Sequence, residues 1–318
     1  MLSDPVKLPP QGAILFLDKA EGWTSHDAVA KSRRTLGTRK VGHAGTLDPM
    51  ATGLLVLGAG PATRLLTHLV GLDKTYTTTM RLGITTVTDD REGDRLVTAD
   101  PAEVARVAAD PDRIAQAIAR LTGPIEQSPS AVSAIKVDGK RAYDRVRAGE
   151  EVELKARPVT IHAFEAGEPK LTQTEDGLSV IDIEATVHCS TGTYIRALAR
   201  DLGSDLGIGG HLTVLRRTEV GPFSVDGVTT IAELAEGQVR ALSTPTSIAR
   251  VLFPVLEVTA DETRDLGHGK RFEVDESRCP DAKLVAAISP DDQLVGLIEI
   301  KRGRTRVVTN FPTQGAAA

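Results

Sequence analysis

The run Gly42-His43-Ala44-Gly45-Thr46-Leu47-Asp48-Pro49-Met50-Ala51-Thr52-Gly53 sets one carboxylate, Asp48, among three glycines and a proline. Glycine-rich backbone beside a lone acid lets a bulky planar group come close to the carboxylate. Asp-Pro is also a common helix start, with Asp capping and Pro at the first helical position. The pair alone therefore leaves an active carboxylate and a helix cap both open. A second candidate is Arg196 in Tyr194-Ile195-Arg196, which opens a helix. A first-turn cation opposes the helix dipole at a cost of about 0.3–1 kcal/mol unless an anion lies near. Helix N-terminus plus arginine makes an anion site, and the anion is a phosphate or Asp48 itself. A surface arginine that points away is the alternative. Aromatic residues are scarce: Trp23 is the only tryptophan, and Tyr76, Tyr143 and Tyr194 are the only tyrosines. Each tyrosine becomes a candidate for stacking on a base by elimination.

These groups need elements to hold them. Ala13 to Lys19 reads as a strand, and Thr24-Ser25-His26-Asp27 as a capping box opening a helix that Gly37 stops. The Asp48 loop leads into an apolar strand at Leu54–Leu57. A short helix follows from Pro61 to near Gly71. Lys74 to Leu82 alternates with period two, placing Tyr76, Thr78, Met80 and Leu82 on one face. Pro101 to Leu121 is helical with a restart at Asp110-Pro111. Residues 124–152 read as a surface arm with a short helix at Lys140–Arg147. Strands return near Pro158–Phe164, and Glu165–Gly177 reads as a flexible hairpin tip. Ile181 to Cys189 alternates as a half-exposed antiparallel strand. Ser190-Thr191-Gly192-Thr193 caps a helix with the stripe Ile195, Leu198, Leu202 and Leu206. A strand at His211–Thr218 and a capped helix at Thr230–Glu236 complete the main domain. Beyond Val251 lie a short helix at Ala260–Leu266 and three strand-like runs, a small β-rich unit joined through Ser243–Ser247.

Bulk properties narrow the class. Length suits one large domain, or one plus a small appendage. Cys189 and Cys279 stand alone and support neither a disulfide framework nor a zinc site. No signal segment and no bilayer-spanning apolar run is present, so a reducing cytoplasm is the expected setting. The net charge of −5 argues, taken alone, against a nucleic-acid partner. Its distribution argues the other way. Basic residues gather at Arg33, Arg34, Arg39 and Lys40, at Lys136, Lys140, Arg141, Arg145 and Arg147, and at Lys301, Arg302, Arg304 and Arg306. Three such clusters on an acidic chain point to a basic face with an acidic back.

The glycine-framed Asp48 run resembles the catalytic motif of the TruB family of tRNA pseudouridine synthases over twelve consecutive positions. Cys189 to Arg196 resembles the family's second motif, and His211 to Thr218 its third. Leu15-Phe16-Leu17-Asp18-Lys19 with Gly22-Trp23-Thr24-Ser25 resembles its opening motif. Lys74-Thr75-Tyr76 matches its strand tyrosine, and Ser133 to Lys136 with Gly139 and Tyr143 its RNA-contacting arm. Gly267-His268-Gly269-Lys270 and the strands after it resemble a PUA-type RNA-binding domain. The similarity implies an α+β fold: a mixed, mostly antiparallel curved sheet flanked by helices, plus the PUA-like unit. The corresponding division is a tail at 1–12, a catalytic domain at 13–247, a PUA-like domain at 250–312 and a tail at 313–318.

The resemblance also implies a reaction: isomerisation of the T-loop uridine of tRNA, conventionally numbered fifty-five, to pseudouridine. The N1–C1′ bond breaks, the uracil rotates and a C5–C1′ bond forms. No atom is gained or lost, so no cofactor or metal is required. Asp48 would be the essential carboxylate and Arg196 its paired cation. Tyr76 would stack on the uracil, with Tyr194 in the pocket and Leu215 against the base. His43 would fill the gap left when the base flips out. Lys136, Lys140, Arg141 and Arg147 would meet the RNA backbone. The partner is the tRNA T-arm, with no membrane, and the expected state is a monomer. Ala20 stands where the family usually has proline, and Val132 where many members carry an aromatic; neither touches Asp48, Tyr76 or Arg196. A guide-RNA-dependent relative is one rival, and the basic arm favours the stand-alone form. A tRNA-folding factor with incidental chemistry is another. A carboxylate hydrolase ranks far lower, since no second acid lies in the motif.

Overall fold

The computed structural model describes residues 6–130, 136–137, 140–141, 155–278 and 280–312. Two compact units form: Met1–Pro49, Gly53–Gly71 and Ser224–Ala318 make the first, Met50–Thr52 and Leu72–Phe223 the second. No helix among the described residues is long and apolar enough to cross a membrane.

In the first unit the strand Ala13–Lys19 runs antiparallel to Thr52–Ala59, from Ala13 opposite Ala59 to Lys19 opposite Gly53. Its other edge takes Thr229–Thr230 in parallel. The short strand Val41–His43 also pairs with Thr52–Ala59. The pairing of Ala13–Lys19 with Thr52–Ala59 is largely apolar, and Leu15, Leu17, Leu54, Leu55 and Leu57 are buried. The helix Ser25–Thr35 starts as its sequence requires. The Thr24 hydroxyl accepts from the Asp27 amide, and the Asp27 carboxylate accepts from the Thr24 amide.

A four-stranded sheet lies toward the C-terminus, in the order Val255–Glu257, Val285–Ile288, Leu294–Lys301, Arg304–Asn310. Leu256, Val258, Leu266, Val285, Val295 and Ile298 form its core. The first of these strands was not legible in the sequence. Residues 243–247, read as a join, lead into the helix Pro245–Leu252, which Thr244 caps. Gln11 holds this sheet to the N-terminal segment, its amide donating to the carbonyls of Leu294 and Pro312, each at 2.8 Å.

The second unit is an antiparallel sheet in the order Gly210–Val220, Lys74–Leu82, Ser179–Cys189, Arg157–Ala166, Gly123–Gln127. Two register shifts, between Leu212 and Val214 and between Arg217 and Glu219, bend the first of these strands. Lys74, Tyr76, Thr78, Met80 and Leu82 face inward together, as period-two alternation demands. The helical stretch after Pro101 divides into Pro101–Ala108 and Pro111–Arg120, with Asp110 capping the restart.

Three local expectations need correction. Gly123–Gln127 is a strand paired with Arg157–Ile161, so the sheet continues past the point where the sequence reads as arm. The Gly-Pro start disguised it. Lys140–Arg141 is a strand paired with Lys136–Val137, not the opening of a helix. Within Glu165–Gly177, the strand Lys170–Gln173 pairs with Ser179–Asp182.

The helix Ile195–Asp205 carries the expected buried stripe and closes on the strand Gly210–Val220 through glycine. A Cβ on Gly203 would stand 2.1 Å from the Gly209 carbonyl carbon, and one on Gly210 2.5 Å from the Ala199 carbonyl oxygen. Both obstacles are backbone and cannot swing aside. Gly203→Ala is therefore expected to destabilise the protein by about 2 kcal/mol despite alanine's better helix propensity. Urea unfolding midpoints measure it, and an unchanged midpoint would contradict this packing.

Candidate active site

Asp48 caps no helix. Pro49 and Met50 make a turn, and the strand Thr52–Ala59 follows directly. Of the two readings open in the sequence, the capping one is excluded. The half-buried aspartate sits in an irregular loop after Val41–His43, and the backbone on each side of it is fixed. Before it, the Leu47 amide donates to the Ser25 hydroxyl at 2.9 Å, and that hydroxyl donates back to the Leu47 carbonyl at 3.1 Å. After it, the Pro49 carbonyl accepts from the Gly22 amide at 3.0 Å and from the Lys19 ammonium at 3.2 Å.

Lys19 is fully buried. Its ammonium also donates to the carbonyls of Trp23 (2.6 Å) and Ala20 (3.0 Å). Three carbonyl dipoles thus converge on one desolvated charge, which offsets part of its burial cost. In the sequence Lys19 is the last residue of a strand and of the opening motif, with no role attached to its charge. The signal was the Lys-Ala-Glu-Gly-Trp turn after it, whose carbonyls need a donor.

His43 ends the strand Val41–His43, opposite Leu57, with its ring edge-on to His26 at 6.0 Å between centroids.

In the second unit, Tyr76 is buried between Val187 on one neighbouring strand and Arg217 on the other. Leu215 lies opposite Thr78, two residues further along the same face. Tyr76 and Leu215 are therefore diagonal neighbours on one face of the sheet, about 7–8 Å apart between backbones. Lys74 shares that face. Its ammonium donates to the Leu72 carbonyl (2.6 Å) and the Thr191 hydroxyl (3.3 Å). Burial, then the nearby Arg217 charge, lower its pKa to about 8. Burial pushes the neighbouring Cys189 thiol up to about 11.

Tyr194 is the N-cap residue of the helix Ile195–Asp205 and makes no side-chain cap. The expected Ser190–Thr193 cap does not form; Thr193 donates instead to the Ser190 carbonyl. The buried Gln127 amide clasps the Tyr194 backbone, accepting from its amide at 2.7 Å and donating to its carbonyl at 3.0 Å. A side chain that far off in sequence left no local signal.

Arg196 is buried, so the outward-pointing alternative falls. Its Nη1 donates to the Thr88 carbonyl at 2.7 Å and stands 3.3 Å from Asp90 Oδ2. Asp90 is itself buried, and its other oxygen accepts from the Thr88 hydroxyl (2.5 Å) and the Glu92 amide (3.0 Å). This carboxylate offsets the cost of a cation in a first helical turn. Sequence reasoning missed it, because an aspartate in a polar loop reads as turn chemistry.

Of the arm residues, Lys136, Lys140 and Arg141 belong to a two-stranded pairing, and Arg147 lies outside the described residues, as do Val132 and Tyr143. In the third basic cluster Lys301 and Arg306 both pair with Glu299, and Arg304 with Glu273.

The chain as a whole is similar to known proteins. The family model "TruB family pseudouridylate synthase (N terminal domain)" matches residues 33–195. Two C-terminal models follow, "tRNA pseudouridylate synthase B C-terminal domain" at 196–258 and "tRNA Pseudouridine synthase II, C terminal" at 253–312. The last spans the four-stranded sheet. The chain belongs to the TruB family of pseudouridylate synthases.

Among individual proteins it is 54% identical over 304 residues to a tRNA pseudouridine synthase B of Leifsonia xyli subsp. xyli, covering 96% of this chain and 98% of that protein. It is 53% identical over 290 residues to one of Paenarthrobacter aurescens, covering 90% of each. A solved structure titled "Structure of H/ACA RNP bound to a substrate RNA containing 2'-deoxyuridine" shares the fold. Its TM-score is 0.65 at 22% identity, covering 97% of this chain and 88% of that one.

Removing the Lys19 ammonium takes its donor from the Ala20 and Trp23 carbonyls and leaves Pro49 with the Gly22 amide. Lys19→Met is expected to lower the unfolding free energy by about 3 kcal/mol. Urea titration measures this, and an unchanged midpoint would show that the charge does not hold the loop.

Proposed function

We propose that this chain, a tRNA pseudouridine synthase by family, isomerises the T-loop uridine numbered fifty-five with Asp48 as its essential carboxylate. The reading is carried by one observation: Asp48 leaves its helix-cap alternative unused and sits on a loop fixed on both flanks by Ser25, Gly22 and Lys19. The uridine is flipped from its stack at a cost of a few kcal/mol. His43 fills the space it leaves. Tyr76 stacks on the uracil, Leu215 packs beside it and Tyr194 borders the pocket.

Asp48 then either attacks C1′ or starts elimination to a glycal; in both, the N1–C1′ bond breaks and the electron pair stays with the uracil. The base turns and C5 bonds to C1′, displacing the Asp48 oxygen in the first route or with return of the C2′ proton that Asp48 took in the second; the C5 proton is lost and N1 takes up a proton. Arg196 serves as the paired cation of the reaction. Asp90 and the Thr88 carbonyl hold its guanidinium in place.

The tRNA is gripped through its T-arm by the basic arm, including Lys136, Lys140, Arg141 and Arg147. The C-terminal sheet, as a PUA-like unit, adds contacts on phosphates. The enzyme acts as a cytoplasmic monomer and needs neither guide RNA nor cofactor. The curated relatives above are named for tRNA, which favours the stand-alone form over the guide-dependent one.

Asp48→Asn is expected to abolish pseudouridine formation while leaving tRNA affinity within about tenfold. Product assays and filter binding on one tRNA transcript separate the two effects. Substantial turnover by this variant would overturn the assignment. The tRNA affinity of the wild-type protein is expected to fall by about a hundredfold or more between 50 and 200 mM salt; a flat response would remove the basic face from the account.

A further inference from the structure

Asp89 has a left-handed backbone, with φ at 58°. That conformation is disfavoured for a residue with a side chain, and it persists where the surroundings impose it. Here they do. The Asp89 carboxylate accepts from the fully buried Ser130 hydroxyl at 2.6 Å, through the same oxygen that stands 3.1 Å from Arg200 Nη1. The Asp89 carbonyl accepts from the Leu212 amide at 3.0 Å. The Arg200 guanidinium also donates to the Ser128 carbonyl and to Asp201.

The position of Asp89 gives these bonds a consequence. Its two chain neighbours, Thr88 and Asp90, are the residues that hold Arg196. Arg196 and Arg200 are four apart on one helix and so lie on the same side of it. One arginine reaches the Thr88 carbonyl and Asp90, the other reaches Asp89. The loop is tied to the helix at two points, and Asp89 is the fixed residue between the two groups that grip Arg196. Asp89 acts on Arg196 through the backbone it shares with Thr88 and Asp90.

We propose that Asp89 is a positioning residue for Arg196. The Ser130–Asp89–Arg200 tether keeps the loop around Thr88–Asp90 in the one conformation that fixes the guanidinium, and it thereby sets the rate of isomerisation without setting tRNA affinity. The inference rests on the role given to Arg196 above.

Two substitutions separate the backbone from the carboxylate. Asp89→Gly accepts the left-handed conformation and removes the carboxylate. Asp89→Asn tolerates that conformation and keeps an oxygen for Ser130 and Arg200. Under single-turnover conditions with saturating enzyme, Asp89→Gly is expected to be about tenfold slower than wild type or worse, and Asp89→Asn within about threefold of it. Dissociation constants for tRNA stay within about threefold for both. Ser130→Ala slows the wild type, and in the Asp89→Gly background it adds less than about twofold, since its partner is already gone.

A wild-type rate for Asp89→Gly overturns the proposal. So does a rate loss matched by an equal loss of affinity, or a full multiplicative effect of Ser130→Ala on Asp89→Gly. If Asp89→Gly does not fold, Ser130→Ala and Arg200→Gln read the same tether, and wild-type rates in both overturn it. The premise is tested alongside: a wild-type rate in Arg196→Met removes the role of Arg196, whereas a slow Arg196→Met with a fast Asp89→Gly removes the tether alone.

Discussion

Buried donors placed on the backbone on both sides of Asp48 are the constraint on which the site depends. Lys19 sits deepest among them. An ammonium with no access to solvent is costly unless oxygen dipoles surround it, and the carbonyls of Ala20, Trp23 and Pro49 do so. The same bonds join the end of the first strand to the residue after the aspartate. Ser25, the first residue of its helix, closes the other flank. The glycine-rich loop thus gains a defined course.

The second unit uses the same device on a cation. Arg196 sits where a helix dipole disfavours it, and the loop from Thr86 to Gly93 supplies a carbonyl and a carboxylate to receive it. Gln127 fixes the helix start by clasping the Tyr194 backbone, and glycine contacts at Gly203 and Gly210 bring the helix against the sheet face that carries Tyr76. Reactive side chains are therefore few, and the groups that aim them are many.

How much of this could be read in the sequence follows from the range of each interaction. The capping box at Thr24–Asp27 and the alternating strand Lys74–Leu82 are local patterns, and both were legible to the residue. The division of the helical stretch at Asp110-Pro111 was legible for the same reason. Asp90, Gln127 and Lys19 were not. Each acts on a partner that is remote in sequence or on bare backbone carbonyls, and neither composition nor periodicity registers such a contact. The strand Gly123–Gln127 was hidden by its Gly-Pro opening, which reads as a break until its partner Arg157–Ala166 is known. The chemistry of Asp48 lay between two readings, and only the strand that follows Pro49 decided against the cap.

The most direct test is to map pseudouridine on a purified T-arm stem-loop incubated with the protein alone. The expected result is a single pseudouridine at the T-loop position numbered fifty-five, formed without added RNA or cofactor. No pseudouridine there, or modification only when a guide RNA is supplied, would contradict the account.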